Sequence, residues 1–239
     1  MFDRLLINIA RNVANTRFVS RIIEGVDLHS DNRLSERGIL AQAFEFKKIN
    51  NVPGDYFEFG VWSGKTFLYA HQMKRRYRCD EMRLWGFDSF EGLPEIDDPD
   101  DNVWVPGQFA CSEIELRKIL RRAGVREDEY DLVAGRYECS LNLDLHARLA
   151  GRCAAIVYVD CDLYASAKQV LNFLRPYLVN GTIVCFDDFY NYKANPDQGE
   201  QKALSEFLAV NDDLNLIAWS NYSPLGKSFI VRLKDGSTR

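Results

Sequence analysis

Two segments of this chain gather carboxylates where chemistry is possible. YVDCDLY supplies Asp160, Asp162 and Tyr164, and CFDDFY supplies Asp187 and Asp188. Each follows an apolar run, AAIV or TIVCF, of the kind expected for a strand covered on both faces. Sequential parallel strands often lie side by side, about 5 Å apart. The acids would then crowd one mouth of a sheet. Such crowding repels in low dielectric unless a cation or protons neutralise it. An all-oxygen donor set suits a hard divalent ion such as Mg²⁺, whose remaining waters a substrate can replace. Asp162 also reads as a cap for the helix that follows it. That reading is a poor account of the Asp187–Asp188 pair.

A second segment, FEFGVWSGKT, holds Glu58, Gly60, Ser63, Gly64 and Thr66. A strand that runs into a helix through Gly-x-x-x-Gly lets backbone approach a ligand closely. The helix N-terminus then offers N–H groups to an anionic group. Glu58 is placed to accept from an ammonium or a ribose hydroxyl. A phosphate loop needs four residues between its glycines, and Gly60 to Gly64 leaves three. Asp88 closes the next strand, MRLWGFD, 28 residues after Gly60. An acid there suits ribose hydroxyls, as in dinucleotide folds. The alternatives are a bare strand–helix turn and a turn aspartate.

These groups need a scaffold that brings strand ends together. Strand-like runs fall at 55–60, 82–88, 130–135, 154–160 and 182–188, with helical stretches at 64–76, 112–123, 140–149 and 164–178. Their alternation predicts right-handed crossovers and a doubly wound parallel α/β sheet. In the order 3-2-1-4-5 the glycine turn and Asp160 become neighbours. After a helix near 199–210, runs at 214–220 and 227–233 flank NYSPLG and predict a hairpin on one edge. Residues 2–24 and 35–50 show helical patterning, the second with Ser35 as N-cap. The reading divides the chain into an N-terminal helical segment, 1–50, and a ligand-binding domain, 51–239.

Composition narrows the partners. The 239 residues are 46% hydrophobic and 27% charged, which supports a real core. A net charge of −5 does not favour nucleic acid. The first apolar run is broken by Asp3 and Arg11, and no run reaches the ~18 apolar residues of a membrane span. Six cysteines without a C-x-x-C pair read as reduced thiols in a cytoplasmic protein. His29, His71 and His146 have no metal spacing, and His71 reads as structural. Residues 88–101 are strongly acidic and begin a loop running through Trp104 to about Phe109. A loop of that length is commonly functional, and two readings stand side by side: a lid over 89–110 with Trp104 on the substrate, and a merely solvated acidic loop.

FEFGVWSGKT, FDSFEGLP, VAGRYECSL, VDCDLYASAKQVL and GTIVCFDDFY, in that order, resemble the macrocin O-methyltransferase family. The resemblance implies a Rossmann-like, mostly parallel seven-stranded sheet, order 3-2-1-4-5-7-6, with the last strand antiparallel. It implies transfer of a methyl group from S-adenosylmethionine to a hydroxyl of a sugar-like small molecule, with Mg²⁺ or another divalent cation. Metal ligands fall on Asp160, Asp187 and Asp188, with Asp160 as general base. Cofactor contacts fall on Glu58, Gly60, Ser63, Thr66, Asp88, Ser89, Gly135 and Arg136, beside Gly64 and Asp160 of the crevice. The loop at Gly135–Asn142 departs from the family pattern by losing a proline. A hydroxylase-like enzyme and a non-catalytic S-adenosylmethionine-binding protein are the alternatives. A homodimer is the expected assembly.

Overall fold

The computed structural model describes residues 35–95 and 104–234. The helix expected at 2–24, His29 and part of the expected lid lie outside the described residues. The first described helix, α1 (Glu36–Asn50), starts where Ser35 Oγ accepts from Gly38 N at 3.1 Å. It ends at Asn51 in the left-handed region, whose N–H donates to the Lys47 carbonyl. Lys47 and Lys48 in the last turn complement the helix dipole. α1 packs on the helix Lys65–Arg76 and also reaches the sheet.

Strands β1 (Asp55–Phe59), β2 (Leu84–Asp88), β3 (Tyr130–Ala134), β4 (Ala154–Val159) and β5 (Leu178–Phe186) alternate with helices. These are α2 (Lys65–Arg76), α3 (Glu113–Arg122), α4 (Leu143–Arg148) and α5 (Tyr164–Leu174). Helix α6 (Gly199–Val210) precedes β6 (Leu214–Tyr222) and β7 (Gly226–Leu233). The sheet order is β3-β2-β1-β4-β5-β7-β6, and β7 runs antiparallel to both its neighbours. Order and hairpin are as expected. The stretch expected as one helix at 140–149 is a turn at Tyr137–Ser140 followed by α4, because Asn142 caps a fresh start by accepting from Leu145 N. The fourth crossover helix ends at Leu174 rather than 178, since Pro176 admits only a short 3₁₀ turn before β5.

β1, β2 and β4 are buried along their whole length, which explains why their sequences lack alternation. Phe59 stacks on Phe87 at 4.4 Å between ring centroids, and both contact Phe173 of α5. Register carries this core to the chemistry. Phe59 pairs with Phe87 and with Val159, and Val159 pairs with Phe186. The ladder runs one residue further at each end. Gly60 N donates to Phe87 O, Asp160 N to Phe59 O, Asp187 N to Val159 O and Gly135 N to Asp88 O, all at 2.8–3.0 Å. Gly135, Asp88, Gly60, Asp160 and Asp187 therefore form one row across the carboxyl edge.

Candidate active site

That row floors a cavity of about 790 Å³. Of the residues expected to bind cofactor or metal, Gly60, Ser63, Thr66, Asp88, Ser89, Gly135, Arg136, Asp160, Asp187 and Asp188 line it. Gly64 and Glu58 are not in the wall. Gly64 is the left-handed N-cap of α2, at φ 76°, and has no side chain to compete for the helix N–H groups. Glu58 is fully buried and accepts from Thr66 Oγ1 at 2.6 Å and from the Tyr56 hydroxyl. It reaches the cavity only through Thr66.

Burial pushes the Glu58 carboxyl from 4.5 up to about 8, against its two hydrogen bonds. The folded state thus holds a proton that the unfolded chain releases. This contribution to stability is present below the ordinary value and is lost as pH rises towards about 8. Glu58→Gln has no such proton to lose. Its melting temperature is expected to gain several degrees on the parent as pH rises through that window, as followed by circular dichroism. A constant difference would refute the account.

Asp88 is committed to the chain itself. Its Oδ2 accepts from Val61 N at 2.7 Å and Trp62 N at 2.8 Å, and its Oδ1 from Phe90 N at 2.7 Å. A carboxylate offers about four acceptor positions, so little remains for a ribose. The sequence pointed to a ligand; the carboxylate acts first as the clamp that shapes the glycine turn.

On the other side lies a nest of acids. Asp160, Asp162 and Asp188 each bring a carboxylate oxygen within 4.8 Å of the others. Asp187, the expected third ligand, is turned aside, because its Oδ1 accepts from the Tyr158 hydroxyl at 2.5 Å. Asp162 is not a helix cap, since Leu163 holds that position; it is buried, at φ 59°. Glu200 stands behind, fully buried, with Oε2 accepting from Asp188 N at 3.2 Å and Oε1 without a partner. Burial, then the neighbouring aspartates, raises Asp160 well above the usual carboxylate range. Burial likewise lifts Asp187 to about 6 and Asp188 to about 8. Among the described residues, no lysine or arginine forms an ion pair with Asp160, Asp187 or Asp188. Lys65, the nearby cation, bonds instead to Glu36 at 3.1 Å. At the amino end of the sheet the contrast is complete: buried Asp55 is satisfied by Arg152 Nη1, Trp85 Nε1 and Arg83 N.

Several wall residues escaped the sequence reading. Tyr158 was findable, since it lies two residues before Asp160 and strand alternation puts both on one face. Glu36 and Tyr137 carry no local signal, and neither does Glu200, which stands behind the wall against Asp188 N. The expected lid segment is tied at its base, with Leu93 N donating to Gln108 O and Gly107 N to Leu93 O, each at 2.9 Å. Trp104 and Phe109 line the cavity. His71 is buried beside Glu129, 3.3 Å away, and remote from the acids of the site, as a structural histidine would be. All six cysteines are free. No helix among the described residues is long and apolar enough to cross a membrane.

With a glycine turn beside a row of aspartates on this sheet order, comparison with known proteins becomes informative. The model of the family described as Macrocin-O-methyltransferase (TylF) matches residues 29–220. The chain belongs to the macrocin O-methyltransferase family. Relatives within reach of sequence include the 8-demethyl-8-(2,3-dimethoxy-alpha-L-rhamnosyl)-tetracenomycin-C 4'-O-methyltransferase of Streptomyces olivaceus, 30% identical over 59% of this chain and 54% of the relative. The mycinamicin III 3''-O-methyltransferase of Micromonospora griseorubida is 26% identical over 59% of this chain and 57% of the relative. The chain thus spans about half the length of the curated relatives it matches. Among solved structures, the calicheamicin methyltransferase CalS11 superposes with a TM-score of 0.69 at 24% identity, covering 96% of this chain and 91% of that one. The O-methyltransferase NovP gives 0.66 at 24% identity, covering 81% and 78%. At such identities the likeness is one of fold, and the family's doubly wound sheet is the sheet seen here.

Proposed function

We propose that this member of the family is an O-methyltransferase that moves the methyl group of S-adenosylmethionine to a hydroxyl of a sugar, with a divalent cation at the acid nest. The observation that carries the reading is the juxtaposition of two incomplete sites in one cavity. The glycine turn offers bare backbone at the N-terminus of α2, and opposite it Asp160, Asp187 and Asp188 form no ion pair with a lysine or arginine among the described residues. The relatives named above methylate glycosylated natural products by name, which supports a sugar hydroxyl as acceptor.

The residues fit a cation. The donors are all oxygens, Asp162 and Asp188 are buried and Asp160 half-buried, and their spacing suits the oxygen shell of a hard divalent ion. Asp160, Asp162 and Asp188 would hold it, with Asp187 as the second-strand alternative if it leaves Tyr158. Such an ion, when bound, supplies the positive charge that lowers the pKa of a nearby hydroxyl and orients its oxygen. Asp160 is the member of the nest next to the glycine turn and is the group placed to take the hydroxyl proton. Tyr158 keeps its proton, since burial raises its hydroxyl well above the usual value, and orients Asp187. Gly60, Ser63 and Thr66 bind on the donor side. As the oxygen–carbon bond forms, the carbon–sulfur bond breaks, leaving S-adenosylhomocysteine and a proton on Asp160. Holding both reactants in line supplies much of the rate.

Titration calorimetry with S-adenosylmethionine, repeated with and without Mg²⁺, tests the reading together with methyl transfer from labelled donor to sugar hydroxyls. Micromolar donor binding is expected in both conditions, and turnover is expected to fall to background in EDTA and to return with excess Mg²⁺. Absence of donor binding would refute the methyltransferase reading. Full turnover in EDTA would refute the cation.

A further inference from the structure

One buried acid stands beside the cavity without belonging to its wall. Glu200 does not line the cavity, and its carboxylate lies outside the trio formed by Asp160, Asp162 and Asp188. It is nonetheless only 1% exposed, and its Oε1 has no hydrogen-bond partner. Buried polar atoms are nearly always paired, so an acid kept dry for stability is expected to be satisfied at both oxygens. Asp55 shows that pattern, with Arg83 N on Oδ1 and with Trp85 Nε1 and Arg152 Nη1 on Oδ2. Glu200 instead adds an acid next to other acids, and among the described residues it receives one hydrogen bond in return.

That bond falls where the sheet stops. The ladder between β5 and β4 runs as far as Asp187 N to Val159 O at 2.9 Å, and pairing with β7 ends at Phe186 opposite Lys227. Asp188 comes next and is buried. Its N–H lies past the ladder, and a buried backbone donor left unpaired is costly. Glu200 Oε2 accepts it at 3.2 Å. The rest of Asp188 is tied to Asn191, whose side chain donates to Oδ1 at 2.7 Å and whose N–H donates to the Asp188 carbonyl at 3.0 Å. Helix α6 delivers the glutamate from its first turn. Ala203, Leu204 and Phe207 bury its inner face in the core, and the helix packs on α5. The reach of Glu200 to the end of β5 is thus fixed by packing.

Resting on the cation reading above, we infer that Glu200 is the positioning residue of the acid nest. It does not touch the ion. Its Oε2 holds the Asp187–Asp188 peptide in one orientation while Asn191 holds the side chain. Together they keep the Asp188 carboxylate within reach of Asp160 and Asp162. Groups that orient a metal ligand from behind set affinity for the metal without contacting it. What position 200 supplies is an acceptor at a fixed reach, and its charge is incidental.

Two conservative variants separate reach from charge. Mg²⁺ is titrated by calorimetry into the full chain saturated with S-adenosylhomocysteine, and melting is followed by circular dichroism in EDTA. Glu200→Gln keeps the reach and an amide oxygen that accepts from Asp188 N, and is expected to bind Mg²⁺ within about threefold of the parent. Glu200→Asp keeps the charge but is one methylene short. It is expected to weaken Mg²⁺ about tenfold to a hundredfold, with S-adenosylhomocysteine affinity unchanged. Should Glu200→Asp not fold, Glu200→Met takes its place, filling the space without that acceptor, and the same loss is expected. A larger loss in folded Glu200→Gln overturns the inference, because charge and not reach would then set the affinity. Parent-like Mg²⁺ affinity in the Asp or Met variant, with only the melting temperature moved, also overturns it, because a merely structural glutamate gives that result. A parent chain that binds no Mg²⁺ strikes the cation reading, and the inference with it. A parent that binds, with the variants out of this order, strikes the inference alone.

Discussion

Replacing Asp160 with asparagine is expected to lower the turnover number by about a thousandfold or more while leaving affinity for S-adenosylmethionine within about twofold. Asn keeps the shape of the side chain and the Asp160 N–H to Phe59 O bond that fixes the strand end. What it removes is one negative oxygen from the centre of the nest. The same change has a second, opposite consequence. Asp160 is surrounded by Asp187, Asp188 and Asp162 in a buried site, with no ion pair of its own among the described residues. Like charges held in such a place cost stability, and a neutral amide can instead donate to its neighbours. In metal-free protein Asp160→Asn is therefore expected to melt several degrees higher than the parent. Single-turnover kinetics and differential scanning calorimetry read the two effects separately. A variant that is both active and unchanged in stability would mean that the nest is neither catalytic nor strained. Parallel Asp162→Asn and Asp187→Asn variants divide the ligand set. If Asp162 holds the cation, its loss should raise the Mg²⁺ requirement more than loss of Asp187, which is already committed to Tyr158.

How far the residues themselves disclosed this site follows from physical distance along the chain. Strand ends were legible, because a parallel sheet fixes neighbours once the order is known, and Gly60, Asp88 and Asp160 each sit one step past or at a strand end. Their companionship is therefore a property of the ladder. Side-chain direction was not legible. Asp162 looked like a cap and joins the acid trio, because the chain turns through φ 59° there and Leu163 takes the cap position before the helix that begins, as expected, at Tyr164. Asp187 looked like a ligand and accepts from the hydroxyl of Tyr158 on the neighbouring strand β4. Asp88 looked like a ribose acceptor and closes the turn on itself through three backbone N–H groups. Glu36 and Glu200 reach the site by packing of α1 and α6, which no local pattern encodes.

Gly60 to alanine is expected to be the most damaging alanine substitution among the described glycines, and for a reason apart from any ligand. The residue sits at φ 86°, and a Cβ built there would lie 1.7 Å from the Asp160 carbonyl oxygen. Backbone stands in the way, so no side-chain rotation relieves the contact. Strands β1 and β4 would have to separate at their carboxyl ends, breaking the Asp160 N to Phe59 O bond. Gly151 supplies the control: it also has positive φ, at 77°, yet a Cβ there meets nothing within 4 Å. Gly151→Ala should cost only the left-handed penalty, about 1–2 kcal/mol. Gly60→Ala should cost on the order of 4 kcal/mol or more, a drop in melting temperature of about 10 °C or beyond, or leave no soluble protein. Equal costs in urea unfolding would show that the strand ends part easily. The expected inequality means that the glycine serves two masters at one atom's distance. It bares backbone towards the donor side of the cavity, and it lets the strand bearing Asp160 come close enough for the acids and the donor pocket to share one floor.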